Sequence, residues 1–295
     1  MLTETQNRQT LNLHDMSSHE IVEVMNAEDA TISNSVKRVL PQIAKSVDLI
    51  ADSLRSGGRL FYVGAGTSGR MGVMDAVECV PTFGTSPEMI QAIMAGGGDA
   101  TISAKEDAED HREDGYQALK DKKITSKDVV IGISASGKTP FVLAAVAFAQ
   151  ELDASTIGIA CNVPSLLLDQ VDVSIGISVG PEILTGSTRL KAGTAQKMIL
   201  NMLSTASMVK LGKVFQNLMV DVKPKNQKLI QRAQKIIMKV GEVDMENASK
   251  ILQESGNDVK VSIVMAKLGC GVEMAQKSLI DSEGYLNRLI ENSQK

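Results

Sequence analysis

The sequence predicts an α/β protein: a mainly parallel sheet flanked by helices in three layers, followed by a small all-helical C-terminal domain. Three observations lead there. Short apolar runs alternate with helical patterns through residues 55–222, as expected of strands buried on both faces and joined by crossover helices. Turns rich in glycine and serine stand between run and helix. After Asp221 the apolar runs stop and only helical periodicity remains.

The elements follow in order. Residues 1–15 are polar and read as a flexible arm or cap. From Ser17 to about Arg55 the pattern is helical, with Val36, Val39, Leu40, Ile43, Val47, Ile50 and Leu54 at helix spacing, until Ser56-Gly57-Gly58 ends it. Residues 59–63 read as a strand, 64–70 as a glycine loop, and 71–79 as a helix. A second strand covers 89–94, and the acidic stretch 106–114 marks a helix start. A third strand, 128–133, leads through a Ser/Gly loop into a helix at 139–152. Further strands cover 156–160 and 173–179, residues 166–169 read as helical, and a long helix occupies 191–211. Past a basic connector at 223–228, helices are expected at 229–240, 245–255, 258–268, 272–278 and 284–291. The implied division is an N-terminal arm with helices (1–54), a sheet domain (55–222) and a helical domain (223–295).

Composition narrows the function. Of the 295 residues 43% are apolar, enough for a core, but only 3% are aromatic and none is Trp, so stacking platforms for carbohydrate or single-stranded nucleic acid are not expected. The net charge of -4 comes without a basic block, so nucleic acid is not an expected partner. No apolar run approaches the ~20 residues needed to span a bilayer. The N-terminus lacks a secretory core. Cys79, Cys161 and Cys270 fit no zinc spacing and point to a reducing compartment, and His14, His19 and His111 are too scattered for a metal site. A cytoplasmic protein without metal or cofactor is expected.

Two loops carry motifs. Gly64-Ala65-Gly66-Thr67-Ser68-Gly69 has the G-x-G-x-x-G spacing of a dinucleotide site, but the acid that should close the next strand is misplaced: Glu88 precedes the apolar run. Gly132-Ile133-Ser134-Ala135-Ser136-Gly137-Lys138-Thr139 has the spacing of a nucleotide phosphate loop. Gly132 falls inside the strand, however, and Pro140 biases Thr139 away from helical dihedrals. What both loops share is a place between a strand end and a helix start, where free N–H groups and the helix dipole favour an anion. Thr67, Ser68, Ser134 and Ser136 add hydroxyl donors. Two such loops on one crevice would hold a small phosphorylated ligand; the plainer reading is a pair of tight turns.

No Ser/His/Asp or Cys/His arrangement is evident, so carboxylates are the available acids and bases. Glu78 stands in the apolar stretch Ala76-Val77-Glu78-Cys79-Val80-Pro81, or is simply a helix-end acid paired with Arg70. Glu109 lies among Glu106, Asp107 and Asp110, where a solvated acidic helix start is the simpler account. The residues alone favour that account for Glu109 and leave Glu78 open.

Longer segments add a resemblance. Gly64 to Arg70, Asp75 to Cys79 with Pro81-Thr82-Phe83-Gly84, Ala108-Glu109-Asp110, Ser134 to Pro140, the block Gly180 to Lys197 and Asn217 to Val222 occur in the order found in the N-acetylmuramic acid 6-phosphate etherases. That family is a branch of the sugar isomerase (SIS) superfamily, and the vertebrate glucokinase regulatory protein is similar to it. The match runs from about Asn26 to the C-terminus, and its most specific part is 185–197. Val77 and Val80 stand where the family usually has Ser and Pro, and Lys138 and Phe141 where it often has Arg and Tyr, departures that bear on substrate preference.

The resemblance implies an SIS-type fold and a lyase acting in cell-wall amino sugar catabolism. It would release D-lactate from N-acetylmuramic acid 6-phosphate and leave N-acetylglucosamine 6-phosphate. In the ring-opened sugar the C1 aldehyde acidifies the C2 proton; a base removes it, the C3 ether oxygen leaves with an acid's help, and water adds at C3. Two carboxylates suffice, without metal or cofactor. The resemblance assigns Glu78 as proton donor, which its apolar neighbours would favour by raising its pKa, and Glu109 as the C2 base, with His111 a chemical rival. Gly66, Thr67, Ser68, Ser134, Ser136 and Thr139 would bind the sugar phosphate, with Ser187 and Lys191 lining the crevice. For Lys191 the plainer reading is an exposed lysine at a helix start. A homodimer is also implied. The alternatives are a non-catalytic sugar-phosphate regulator, though this chain shows no doubled sugar-binding domain, and an aldose–ketose isomerase of the same superfamily.

Overall fold

The computed structural model describes residues 1–105, 107–224 and 226–290. Glu106 of the expected acidic stretch, Lys225 of the connector and Glu291 of the last expected helix lie outside the described residues. The chain divides into two compact units, one of residues 1–77 and 87–204, the other of 78–86 and 205–295.

In the first unit the polar N-terminus is a pinned cap rather than a loose arm. It makes three short 3-10 turns, and Thr3 and Thr10 are buried. Thr10 Oγ1 donates to Ile183 O at 2.8 Å, and Gly186 N–H donates to Thr3 O at 3.1 Å. The helical stretch from Ser17 to Arg55 divides into three: α1 (Ser18–Asp29), α2 (Ile32–Lys37) and α3 (Leu40–Arg55). A Ser17/Glu20 capping box starts α1, and Pro41 begins the regular part of α3. Then follow β1 (Leu60–Gly64), α4 (Gly66–Phe83), β2 (Ile90–Met94), α5 (Arg112–Asp121), β3 (Val129–Ile133), α6 (Pro140–Glu151), β4 (Ser155–Ala160), α7 (Leu166–Gln170), β5 (Val173–Gly176) and α8 (Lys191–Lys210).

The five strands form one parallel sheet in the order β2-β1-β3-β4-β5. The chain runs from β1 outward to β2, then returns to the other side of β1 to lay down β3. Strand order therefore reverses between β1 and β3, where open α/β sheets place their ligand crevice. Both strands are buried throughout, which is why they read as unbroken apolar runs. Alternate residues serve opposite faces. Phe61 and Val63 join Val130, Phe141, Val142 and Leu119 in a core beneath α5 and α6. Tyr62 points the other way, against Gly72 of α4, where an added Cβ would lie 2.9 Å from Tyr62 Cβ.

That second face holds a buried polar knot. Asp75 of α4 accepts hydrogen bonds from Tyr62 Oη at 2.8 Å and Ser204 Oγ of α8 at 3.0 Å. The Asn201 amide, oriented to satisfy both neighbours, donates to Asp75 and accepts from Lys197. Burial pushes the Asp75 carboxyl up to about 6 against the pull of Tyr62, Ser204 and the Lys197 charge.

The second unit contains a hairpin that the sequence reading missed, β6 (Val214–Phe215) and β7 (Leu218–Met219), turned at Gln216 with φ +54°. Strands this short carry no period to detect. Five helices follow as expected: α9 (Gln227–Gly241), α10 (Met245–Glu254), α11 (Val259–Leu268), α12 (Val272–Asp281) and α13 (Leu286–Ile290). Asn226, Asp244 and Asp258 cap the first three through their side-chain oxygens. Val220, Ile237, Leu252, Ile263 and Leu279 lie in their common core. Segment 78–86 is held within this unit: Lys213 Nζ bridges Phe83 O at 3.1 Å and Asp221 at 2.8 Å, and Lys260 takes the other Asp221 oxygen at 2.8 Å.

Asp75 makes stability depend on pH. Its folded pKa of about 6 exceeds the ordinary 3.8, so its contribution is fully present below the lower value and is lost as pH rises through the higher one. Thermal unfolding of the wild type and Asp75→Asn, compared from about pH 4 to pH 7, should show the wild type losing stability relative to the variant. A constant difference would refute the assignment.

Candidate active site

The first loop is shorter than the sequence predicts. Gly66, at φ +51°, turns the chain directly after β1, and α4 begins there rather than at Met71. Thr67 and the buried Ser68 therefore lie in the helix's first turn, whose leading N–H groups lack intrahelical acceptors. Two further glycines are required by distance. A Cβ on Gly69 would lie 2.7 Å from Gly64 O, and one on Gly64 would lie 2.7 Å from Gly69 N. Strand end and helix start touch through their backbones.

The second loop emerges beside the first. Gly64 is level with Ile133 in the β1–β3 register, and adjacent strands lie about 5 Å apart. Ser134 is buried and organises the loop. Its Oγ shares hydrogen bonds with Thr139 Oγ1 at 2.8 Å and Ser136 Oγ at 3.2 Å, and accepts from Gly137 N–H at 3.0 Å. Ser136 Oγ also accepts from Lys138 N–H at 3.2 Å. Thr139 has φ −53° and ψ 114° and precedes the first residue of α6, Pro140. Its hydroxyl thus stands outside the helical turn from which a nucleotide phosphate loop reaches magnesium. Gly132 is inside β3, packed against Val142 and Val146. Glu88 likewise precedes β2, which begins at Ile90. Neither nucleotide reading has its geometry.

The third component is the segment leading into α8. A Cβ on Gly193 would lie 3.2 Å from Thr67 Cγ2, so the start of α8 rests on the start of α4. Ser187, partly exposed, sits in the preceding turn, where its N–H donates to Leu184 O at 3.0 Å and its carbonyl accepts from Leu190 N–H at 3.2 Å. Asn162, at the end of β4, donates to both Ala135 O and Thr3 Oγ1 at 2.9 Å. It ties the N-terminal cap to the second loop.

Lys191 does not have the place expected of it. It is 2% exposed, and its Nζ pairs with Glu28 Oε2 of α1. Burial works to raise the Glu28 pKa, but hydrogen bonds from Lys191 and Asn7 and the lysine's charge hold it below the ordinary value. Glu182, fully buried, accepts from the N–H groups of Lys191 and Ala192 at 2.9 Å each. Burial lifts its pKa despite those bonds and the Lys191 charge. This acid occupies the α8 N-terminus, a role the sequence reading did not give it, although Glu182 lies within the family-matching block Gly180 to Lys197.

The two candidate acids have different settings. Glu109 is exposed on a 3-10 turn, Asp107–Asp110, that precedes α5. Packing strips part of its hydration and the Asp110 charge adds to this, so its pKa is raised. Glu78 lies about three turns along α4 from Thr67. It is exposed, as is Val77, while Ala76 and Cys79 face inward. The apolar surroundings expected for Glu78 belong to the opposite side of its helix. Nor is Arg70 its partner: that guanidinium donates to the carbonyls of Ala100, Thr101 and Ser103. Among the described residues no group of three or more His, Cys, Asp or Glu could hold a metal ion. No described helix is long and apolar enough to cross a membrane.

Residues 42–150 match the glucokinase regulatory protein N-terminal SIS domain, and residues 111–206 match the SIS domain. Two solved phosphoheptose isomerases share the fold at 17% identity. The one from Francisella tularensis has a TM-score of 0.52, covering 66% of this chain and 100% of its own. The one from Neisseria gonorrhoeae has 0.51, covering 65% and 98%. Whole-length relatives are far more similar. The chain is 49% identical to N-acetylmuramic acid 6-phosphate etherase 2 of Lactiplantibacillus plantarum, over 98% of both chains. It is 47% identical to the etherases of Vibrio campbellii and Clostridioides difficile, over 100% of this chain and 96% and 97% of theirs. The chain belongs to the N-acetylmuramic acid 6-phosphate etherase family, built on an SIS domain.

Proposed function

We propose that this chain cleaves the D-lactyl ether of N-acetylmuramic acid 6-phosphate, releasing D-lactate and N-acetylglucosamine 6-phosphate in the catabolism of cell-wall amino sugar. The observation that carries the reading is the pair of hydroxyl-lined loops at the β1/β3 reversal, with the start of α8 against Thr67. Such a crevice suits a small phosphate ester, and identity at 47–49% extends over the whole chain.

Thr67, Ser68, Ser134, Ser136 and Thr139, with the free N–H groups at the start of α4 near Gly66, hold the sugar phosphate. Ser187 borders the crevice. Lys191 acts by fixing the start of α8 through Glu28. With the sugar ring open, Glu109 takes the C2 proton, made acidic by the C1 aldehyde. The electron pair forms a C2–C3 double bond as the C3–O bond breaks, and Glu78 protonates the departing lactyl oxygen. Water then adds, its hydroxyl to C3 and a proton to C2. The raised pKa of Glu109 makes it a stronger base. An isomerase of the same superfamily would share the C2 proton transfer but break no ether.

The helix that carries Glu78 exposes Met74 and Val77 beside it, at 39% and 61%, and the family's homodimer would cover that face with a second chain. The cytoplasm is the expected compartment.

Incubated with N-acetylmuramic acid 6-phosphate, the wild type should release lactate, and Glu78→Gln should lose at least about 10²-fold of that rate with binding retained. Unchanged turnover would remove Glu78 from its role. The acid limb of the pH–rate profile should belong to Glu109, so Asp110→Asn, which deletes a repelling charge, should move that limb to lower pH. A shift upward would contradict the assignment. Light scattering should give twice the chain mass; a monomer that turns over substrate would remove the dimer from the reading.

A further inference from the structure

An arginine in an anion-binding loop is the obvious ligand for a phosphate. Arg70, in the first turns of α4, is engaged elsewhere. Its Nη2 donates to Ala100 O at 2.9 Å and Ser103 O at 3.4 Å, and its Nε to Thr101 O at 3.2 Å. These three carbonyls belong to the segment that leaves β2 and leads to Glu109.

That segment has a compact construction of its own. Gly96 is at φ +81°, and a Cβ there would lie 3.0 Å from Lys105 Cδ, 3.2 Å from Ala100 Cβ and 3.3 Å from Ala108 Cβ. Lys105 Nζ donates back to Gly96 O at 3.1 Å. Ala108, adjacent in sequence to Glu109, is buried in the core with Phe141. The segment is thus folded about Gly96 and seated at Ala108. Yet it contains Gly96, Gly97 and Gly98 in succession, and consecutive glycines leave a backbone many conformations. The three guanidinium bonds fasten it to α4 between its two ends, and hydrogen bonds from a charged donor are the stronger kind.

We propose that Arg70 is a positioning residue. By gripping the carbonyls of residues 100, 101 and 103 it sets the Glu109 turn relative to the hydroxyl-lined start of α4, and it does not bind the substrate's phosphate. The catalytic half of this inference rests on the reading of Glu109 as base. A base displaced by about 1 Å loses on the order of 10²-fold in rate, which sets the size of the expected effect.

The test uses Arg70→Ala and Arg70→Lys, with lactate release measured against substrate concentration and amide hydrogen exchange measured without substrate. In Arg70→Ala, kcat should fall about 10²-fold while KM stays within about 3-fold, and exchange in residues 97–105 should speed up. Arg70→Lys should lose less, because an ammonium can still serve one carbonyl; it also carries the test if circular dichroism shows the alanine variant unfolded. A large rise in KM with kcat preserved and exchange unchanged would make Arg70 a phosphate ligand and overturn the proposal. Unaltered kcat and exchange would overturn it too. A wild type that releases no lactate would count against the reaction instead, and the exchange measurement would then decide the clamp alone.

Discussion

The site depends on the adjacency of β1 and β3. Because the chain lays down β2 on one side of β1 and β3 on the other, two strand ends at the sheet's centre are not covered by a shared crossover. Each leads at once into a helix start: Gly66 into α4, and Thr139-Pro140 into α6. Register places Gly64 level with Ile133. The two loops therefore emerge side by side, and Gly193 of α8 approaches Thr67 at the start of α4. On the proposed reading their hydroxyls and the free N–H groups at the start of α4 are the donors to a small phosphate ester.

Holding those elements falls to buried polar groups rather than to apolar packing alone. Asp75 joins α4 to β1 and α8. Glu182 and Glu28 take the backbone and the ammonium of Lys191. Arg70 takes three carbonyls of the turn before Glu109. Breaking a buried ionic contact on one side typically costs about 3–5 kcal/mol, a range that applies to Lys191 and Glu28; hydrogen bonds make all these ties directional in a way that leucine contacts are not. They fix the rotation and depth of each helix start. Within the second unit, segment 78–86 is held by Lys213, Asp221 and Lys260.

Much of this could be read from the residues. Strands β1, β3 and β4 are apolar on both faces, and such runs need no tertiary information to be recognised. The helical C-terminal region announced itself by period, and Gly132 and Pro140 argued against a magnesium-binding phosphate loop. Boundaries were less visible where backbone contact, not side-chain pattern, set them. The start of α4 at Gly66 follows from the fit of Gly64 against Gly69. The N-terminal cap follows from single hydrogen bonds to residues 162, 183 and 186, far away in sequence.

The amino-acid sequence by itself determined the layer order, the two hydroxyl loops and the family, because period, glycine placement and long exact segments are local properties of the chain. Only the tertiary structure decided what the charged residues do. A lysine or arginine in a motif has the same composition whether it meets a ligand, as expected of Lys191, or a neighbouring acid, as in the plainer reading of Arg70, or meets Glu28 and three carbonyls, as Lys191 and Arg70 do. Those partners are distant along the chain, and for the buried Lys191 the cost of an unpaired charge is what selects Glu28.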